Sequence, residues 1–358
     1  MSNINYAIIG FGGIAKTHAI GTHIANLTLG LPYSLNLKKI VTRRPIQSLV
    51  PGSENTTSIK DILKDTNIHF VDICTPNDSH KDIVLEALKY NKAIYCEKPL
   101  ASNYEDALEI ATAVTESGVK NATAFIYRFL PAVRLLKEAV EEDSIGDIID
   151  FKIKLYHKSY LNPNKKGSWR TESSSGGGAL LDLGVHLIDM IHFTLGNIAS
   201  VSAKTKIFFK DRTDVDEISE CNLKLDNHLE GSLEVSRIFA DLDEPTTFTI
   251  YGSKGSIKMN SDKPYTIDIY NYNKNSVEIR SANDRKHILK NYPSDRSSFG
   301  FHQDCHMASL VNFANELFLN ETNPITPTIS DALKAQSVVE AAYTSSKLGK
   351  RVLISSIK

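Results

Sequence analysis

Ile4-Asn-Tyr-Ala-Ile-Ile9, followed at once by Gly10-Phe-Gly-Gly-Ile-Ala15, decides how this chain is read. A short apolar run breaks at glycines, and a helical pattern then continues to about Ala25. Strand, glycine turn and helix in that order form the setting of a dinucleotide fingerprint. Gly10 permits a tight turn, Gly12 lets backbone approach a pyrophosphate, and the small Ala15 lets the helix pack on the strand. Gly12, Gly13 and Ile14 open a helix whose N-terminus offers N–H groups and a positive dipole end to phosphate. Plain strand–helix connections also use glycine, so the motif takes its weight from its flanks.

Outward from there, strands and helices alternate. A weakly patterned stretch, 27–37, delays the second strand to 38–42. In NAD-preferring units an acid ends that strand and binds the ribose 2′-hydroxyl. Here the chain reads Thr42-Arg43-Arg44-Pro45, and the next acid is Glu54. An arginine there suits a 2′-phosphate, which favours NADP over NAD, although a solvated basic loop would read the same. A strand over 69–75 ends at Thr75-Pro76-Asn77 and His80, and one over 92–96 ends at Glu97-Lys98-Pro99. Ser102-Asn-Tyr-Glu105 reads as a capping box opening a helix to Ser117, before a last strand over 119–125. Repeated βα units predict a doubly wound parallel sheet with ligands at the carboxyl ends of its strands. The glycine turn, Thr42–Arg44, Thr75–His80 and Glu97–Pro99 all fall at such ends.

After Tyr127-Arg128-Phe-Leu-Pro131 the pattern changes. A helix from Pro131 leads to a strand over 148–157 and a polar loop holding the only tryptophan, as Trp169-Arg170. Strand-like runs follow near 199–209, 217–226, 229–237, 246–251, 255–259, 265–270 and 276–280. Their short connections favour antiparallel pairing. Helices close the chain at about 302–319 and 330–348. Between the loop and these strands, Ser173-Ser-Ser-Gly-Gly-Gly178 runs into an apolar helix carrying Asp182 and His186 at i,i+4, on one face. A buried polar pair is costly unless partnered, so it is either a structural tie or an acid–base pair. His302 and His306 share the same spacing. With no third ligand evident, no metal site is read there, and a substrate hydrogen bond from His302 or simple packing remains.

Composition narrows the class. At 358 residues two domains are expected, and 41% hydrophobic with 23% charged residues is ordinary for a globular protein. A formal net charge of −1 gives no argument for nucleic acid or a membrane surface. There is no signal-like N-terminal segment and no apolar run long enough to span a bilayer, and four scattered cysteines without a CxxC read as reduced thiols. A cytoplasmic protein is expected.

Taken together, the motifs resemble the Gfo/Idh/MocA (glucose–fructose oxidoreductase / inositol dehydrogenase) family. The likeness rests on Gly10–Ala15, Thr75-Pro-Asn-Asp-Ser-His80, Glu97-Lys-Pro-Leu100, Gly177-Gly-Ala-Leu-Leu-Asp-Leu-Gly-Val-His186 and the ending Tyr343–Val352. It implies an N-terminal Rossmann domain, 1–124, followed by an α+β domain, 125–358, with an open, mostly antiparallel sheet. It implies hydride exchange between NAD or NADP and a sugar, polyol or related substrate. Lys98 then matches the catalytic lysine, in a Lys-Pro bond commonly cis in relatives, and Asp182 with His186 matches the acid–base pair. Thr75, Pro76, Asn77, His80, Glu97 and Arg128 match residues near the cofactor, and Tyr127, Trp169 and Arg170 match the substrate side. A homodimer or homotetramer through the second sheet is also implied. Two other functions fit the same motifs: a glycosidase that uses nicotinamide transiently, and a non-catalytic cofactor-binding sensor. Intact Lys98, Asp182 and His186 speak against the sensor.

Overall fold

A computed structural model describes residues 2–47, 50–240 and 245–357. Contacts divide the chain into two compact units, Met1–Phe129 with Lys290–Leu333, and Leu130–Leu289 with Lys334–Lys358. This differs from the 1–124 and 125–358 boundary read from sequence, because a later helix belongs to the first unit's core.

In the first unit, β1 (Ser2–Ile9) leads through the glycine turn to α1 (Gly13–Thr28). Then come β2 (Tyr33–Val41), β3 (Glu54–Thr56), α2 (Ile59–Leu63), β4 (Phe70–Ile73), α3 (His80–Leu88), β5 (Ala93–Cys96), α4 (Tyr104–Ser117) and β6 (Asn121–Thr123). The six strands are all parallel, in the order β3-β2-β1-β4-β5-β6. Strand order therefore reverses between β1 and β4, the place where doubly wound sheets hold ligands. Strand β2 starts at Tyr33 rather than at residue 38. Tyr33, Leu35 and Leu37 alternate inward, and Ser2 pairs with Tyr33. The cap of α4 is shifted by one residue from the expected box. Asn103 accepts from the Asp106 N–H at 2.8 Å and donates back to its carboxylate at 2.8 Å.

The second unit contains α5 (Pro131–Glu141), β7 (Ile148–Tyr156), a π-helical turn over Leu180–Gly184 that continues as α6 (Val185–Thr194), and β8 (Ile198–Lys206). It continues with β9 (Ile218–Leu225), β10 (Glu230–Ser236), β11 (Thr247–Gly252), β12 (Gly255–Asn260), β13 (Thr266–Asn271) and β14 (Ser276–Ser281). After the first unit's α7 (Phe301–Leu319), α8 (Ile329–Leu348) starts in one unit and ends in the other, before β15 (Val352–Leu353). The sheet order is β14-β13-β12-β11-β7-β10-β9-β8-β15, antiparallel throughout except for β7 with β10. Phe151, Ile153, Leu233, Val235, Phe248 and Ile250 bury one face of its centre.

Helix α7 joins the first unit for a physical reason. Met307, Leu310, Val311, Phe313 and Ala314 pack into the cluster that contains Ile8, Ile40, Phe70 and Tyr95. Two polar ties fix its register: Tyr95 and Ser309 hydroxyls meet at 2.8 Å, and Tyr33 donates to Asn315 at 2.8 Å. All four cysteines are buried free thiols, and no described helix is long and apolar enough to cross a membrane.

Candidate active site

The carboxyl ends of β1 and β4 meet at Gly10. Its φ is +85°, and a Cβ there would lie 2.9 Å from both the Cys74 carbonyl and the Thr75 methyl. Only glycine fits this closure. Over Gly12 and Gly13 the opposite holds, because a Cβ at either would meet open space. Gly12 caps α1 without a side-chain hydrogen bond, and no acid stands in the first turn. A donor-rich helix start with space above it is what a pyrophosphate requires. The Thr75 hydroxyl, at the next strand end, is buried without a hydrogen-bond partner and so is available to such a group. The residues present fit a dinucleotide.

Other predicted cofactor positions are placed less directly. Thr42 donates to the Arg44 carbonyl at 2.7 Å, which shapes the turn and leaves Arg43 and Arg44 exposed. His80 is fully buried, with ring nitrogens 3.1 Å from the Leu100 carbonyl and 3.0 Å from the Thr75 carbonyl. Burial holds its pKa below the usual histidine value, against the pull of the two carbonyls, and a neutral ring donates to only one of them at a time. Asn77 is buried on the turn entering α3, and Pro76 is exposed before it. Arg128 is buried and reaches Asp331 at 3.4 Å, at the start of α8. Tyr127, beside it, is partly exposed.

Lys98 follows β5 in a cis Lys98–Pro99 bond. Its backbone N–H donates to the Glu97 carboxylate at 3.1 Å, and Glu97 is itself buried. His302 keeps part of its surface exposed. Burial lowers its pKa, Glu97 pushes it up, and Lys98 and His18 push it down. Those influences place the Glu97–Lys98 turn and His302 in one electrostatic neighbourhood. His306 reaches a ring the sequence reading did not use: its Nδ1 lies 3.0 Å from His18 Nε2.

In the second unit Asp182 and His186 are both buried, but not on one regular α-helix. The π turn over Leu180–Gly184 inserts a residue, so the i,i+4 face expected from sequence is rotated. Its cause is local. A Cβ on Gly184 would lie 2.6 Å from Leu180 Cδ1, so a larger residue there would have to displace that side chain. The buried Asp216 anchors the start: its carbonyl accepts from Ala179 and its carboxylate from Leu180, each at 2.8 Å. Ser219 and Tyr343 hydroxyls also donate to Asp216, at 2.6 and 2.8 Å. Burial pushes that carboxyl above its ordinary pKa, against these hydrogen bonds. The glycine run has the same explanation. At Gly178, with φ +112°, a Cβ would lie 2.3 Å from Asp216 Oδ1, and at Gly177 one would lie 2.4 Å from the Arg170 carbonyl. These glycines thus answer to protein neighbours rather than to the close approach of a substrate.

Asp182 is held by two guanidinium groups. Arg170 Nε lies 3.3 Å away and stacks over the Trp169 ring at 4.2 Å, while Arg237 makes a direct ion pair. Tyr160 contacts both arginines, its ring 5.2 Å from the Arg237 guanidinium and its hydroxyl donating to the Arg170 carbonyl at 2.7 Å. Burial pushes Arg237 down to about 10, so it stays charged at neutral pH. Sequence reading missed Arg237 and Asp216. Both lie beside strand ends, and only the tertiary pairing marks them.

A fold of this kind with a pyrophosphate cradle defines a dinucleotide-binding protein. The oxidoreductase-family NAD-binding Rossmann fold matches residues 4–125, and that family's C-terminal alpha/beta domain matches 137–354. The chain belongs to the Gfo/Idh/MocA oxidoreductase family. It is 30% identical over 292 residues to levoglucosan dehydrogenase of Pseudarthrobacter phenanthrenivorans, covering 74% of this chain and 75% of that one. It is 26% identical to glucose-6-phosphate 3-dehydrogenase of Bacillus subtilis over 98% of both chains. A structure of levoglucosan dehydrogenase in complex with NADH and levoglucosan superimposes with a TM-score of 0.90 at 26% identity, covering 99% of this chain and 100% of that one.

Proposed function

We propose that this oxidoreductase exchanges a hydride between NAD(P) and a hydroxyl-bearing carbon of a sugar, polyol or related compound. The observation that carries the reading is the uncapped start of α1 under open space at Gly12 and Gly13, with the Thr75 hydroxyl orphaned at the neighbouring strand end. Sugar dehydrogenases among the relatives support the substrate class.

The bound nicotinamide supplies the hydride acceptor or donor. Oxidising an alcohol also requires its hydroxyl proton to leave, and a His186 ring nitrogen takes it. Asp182, fixed by Arg170 and Arg237, orients His186 or the substrate hydroxyl and does not itself carry the proton. The Lys98 ammonium donates a hydrogen bond to the reacting oxygen. Trp169, Arg170, Tyr127 and His302 are assigned to the substrate. Arg43 and Arg44, exposed after β2 with no acid in that turn, are assigned to a 2′-phosphate.

Nicotinamide absorbance followed with both cofactors across a panel of sugars, sugar phosphates and polyols tests this reading. Turnover is expected with at least one, faster with NADP, and Arg43→Ala with Arg44→Ala should remove that preference. Release of a sugar without net cofactor conversion would overturn the dehydrogenase reading in favour of a glycosidase. Binding of cofactor with no turnover across the panel would favour a sensor.

We also propose self-association through the second sheet, where Tyr251, Val277 and Ile279 stand exposed. Light scattering should give a multiple of the 39.7 kDa chain mass, and a monomer mass would remove the proposal.

A further inference from the structure

We propose that His18 is a positioning residue which, by bridging Asp72 and Glu97, holds the Glu97–Lys98 turn and so aims Lys98. The inference rests on the assignment of Lys98 to the reacting oxygen. Four elements of the first unit converge on this one ring. His18 comes from α1, Asp72 from β4, Glu97 from the end of β5 and His306 from α7, and all four are buried. His18 Nδ1 donates to Asp72, 2.9 Å from one carboxylate oxygen and 3.1 Å from the other. The Cys74 thiol donates to the same carboxylate at 3.3 Å. On the other side, His18 Nε2 lies 3.0 Å from His306 Nδ1 and 3.2 Å from Glu97 Oε1.

Burial works against a charged ring here, but Asp72 outweighs it and holds His18 well above the ordinary histidine pKa. As an imidazolium it donates from both nitrogens, so His306 accepts at Nδ1. Glu97 Oε1 is buried and has no hydrogen-bond partner, so its charge is compensated there by the His18 ion pair. The other Glu97 oxygen accepts the Lys98 N–H at 3.1 Å. Asp72, His18 and Glu97 thus alternate in charge, and the chain of contacts ends at the Lys98 backbone N–H. Nothing in the dinucleotide cradle needs this arrangement, and two buried carboxylates around one histidine cost more to desolvate than apolar packing would.

The ring is faced by Tyr6 from β1, Asp72 from β4 and Cys74 just after it, Tyr95 and Glu97 from β5 and its end, and His302 and His306 from α7, with Lys98 next along the chain. Removing the His18 charge leaves a buried Glu97 carboxylate without that cation one residue from Lys98, and a nearby uncompensated anion favours the ammonium form of a lysine. The test therefore reads Lys98 directly. Reductive methylation of Lys98 is followed against pH by peptide mass spectrometry in the full chain, for the wild type, His18→Gln and Asp72→Asn. Both variants should move the onset of Lys98 methylation to higher pH, although Asp72 touches neither Glu97 nor Lys98 in the chain of contacts described. With a turned-over substrate, kcat should fall about 100-fold while KM and cofactor affinity change little, the pattern of a misaimed group. In His18→Gln/Glu97→Gln the loss should be no greater than in the worse single variant.

A lower melting temperature with an unchanged methylation profile in either folded variant would make the cluster structural only and overturn the proposal. Stoichiometric divalent metal on the purified wild type, lost in His18→Gln, would overturn it too. If no panel compound is turned over, the methylation profile still decides the role of His18, so failure of the functional reading is told apart from failure of this one. Should His18→Gln not fold, Asp72→Asn, which keeps a side-chain acceptor for His18, carries the measurement.

Discussion

His186→Ala should lower kcat by about 10²–10⁴-fold, the range expected when a positioned acid–base group is removed. Cofactor affinity should stay near wild type, since the glycine cradle of α1 belongs to the other compact unit. KM should change far less than kcat, because a proton acceptor acts in the transition state more than in the ground-state complex. The direction of the pH effect also follows. A neutral imidazole accepts the proton, so oxidation by the wild type should fall at low pH as the ring becomes protonated. His186→Ala should lose that acidic limb. Steady-state kinetics against pH, with cofactor binding by fluorescence titration, separates these effects. Near-normal turnover of His186→Ala on a confirmed substrate would remove His186 from the chemistry.

How much of this was legible in the sequence depended on the range of the interaction. The strand, glycine turn and helix over residues 4–25 were read from local pattern, because one glycine closure and one apolar run determine them; the helix itself continues to Thr28. The antiparallel strands of the second sheet were read within a residue for the same reason, except that β8 ends at Lys206 and not at 209. Two local features escaped. Tyr33, Leu35 and Leu37 alternate as a strand should, but Gly30 and Pro32 ahead of them read as loop. The π turn was invisible because it depends on Leu180 lying across Gly184 and on Asp216 capping its start. Long-range charge was hidden most deeply. His18 and His306 are 288 residues apart in the chain and 3.0 Å apart in the fold. Residue types that looked like one more helix histidine and one more strand-end arginine became informative only when their partners were known. The two glycines before the helix show the converse, since their presence was plain but their reason, Arg170 and Asp216, was not.

Arg237→Met should destabilise the protein by about 2–4 kcal/mol, somewhat under the 3–5 kcal/mol typical of stranding one member of a buried ion pair. The reduction reflects Arg170, which still reaches Asp182 at 3.3 Å from a more exposed position. The argument turns on what is left behind. Asp182 and Arg237 are both buried, so deleting the guanidinium leaves a carboxylate that water does not reach freely. Tyr160 loses the cation over its ring as well. If that stranded charge is the cause, removing it should restore stability. Arg237→Met/Asp182→Leu should therefore recover most of the loss, since apolar residues in place of a buried pair are commonly neutral or stabilising. Turnover of this double variant should nevertheless be abolished, because Asp182 is assigned to orient the proton transfer. Denaturant unfolding of the single and double variants, beside kcat for each, reads stability and catalysis separately. A double variant no more stable than Arg237→Met would mean that packing around the long arginine stem, rather than the ion pair, holds this corner of the second unit together. Recovery of stability together with activity would show that Asp182 is a structural tie, the alternative its helix left open from the start.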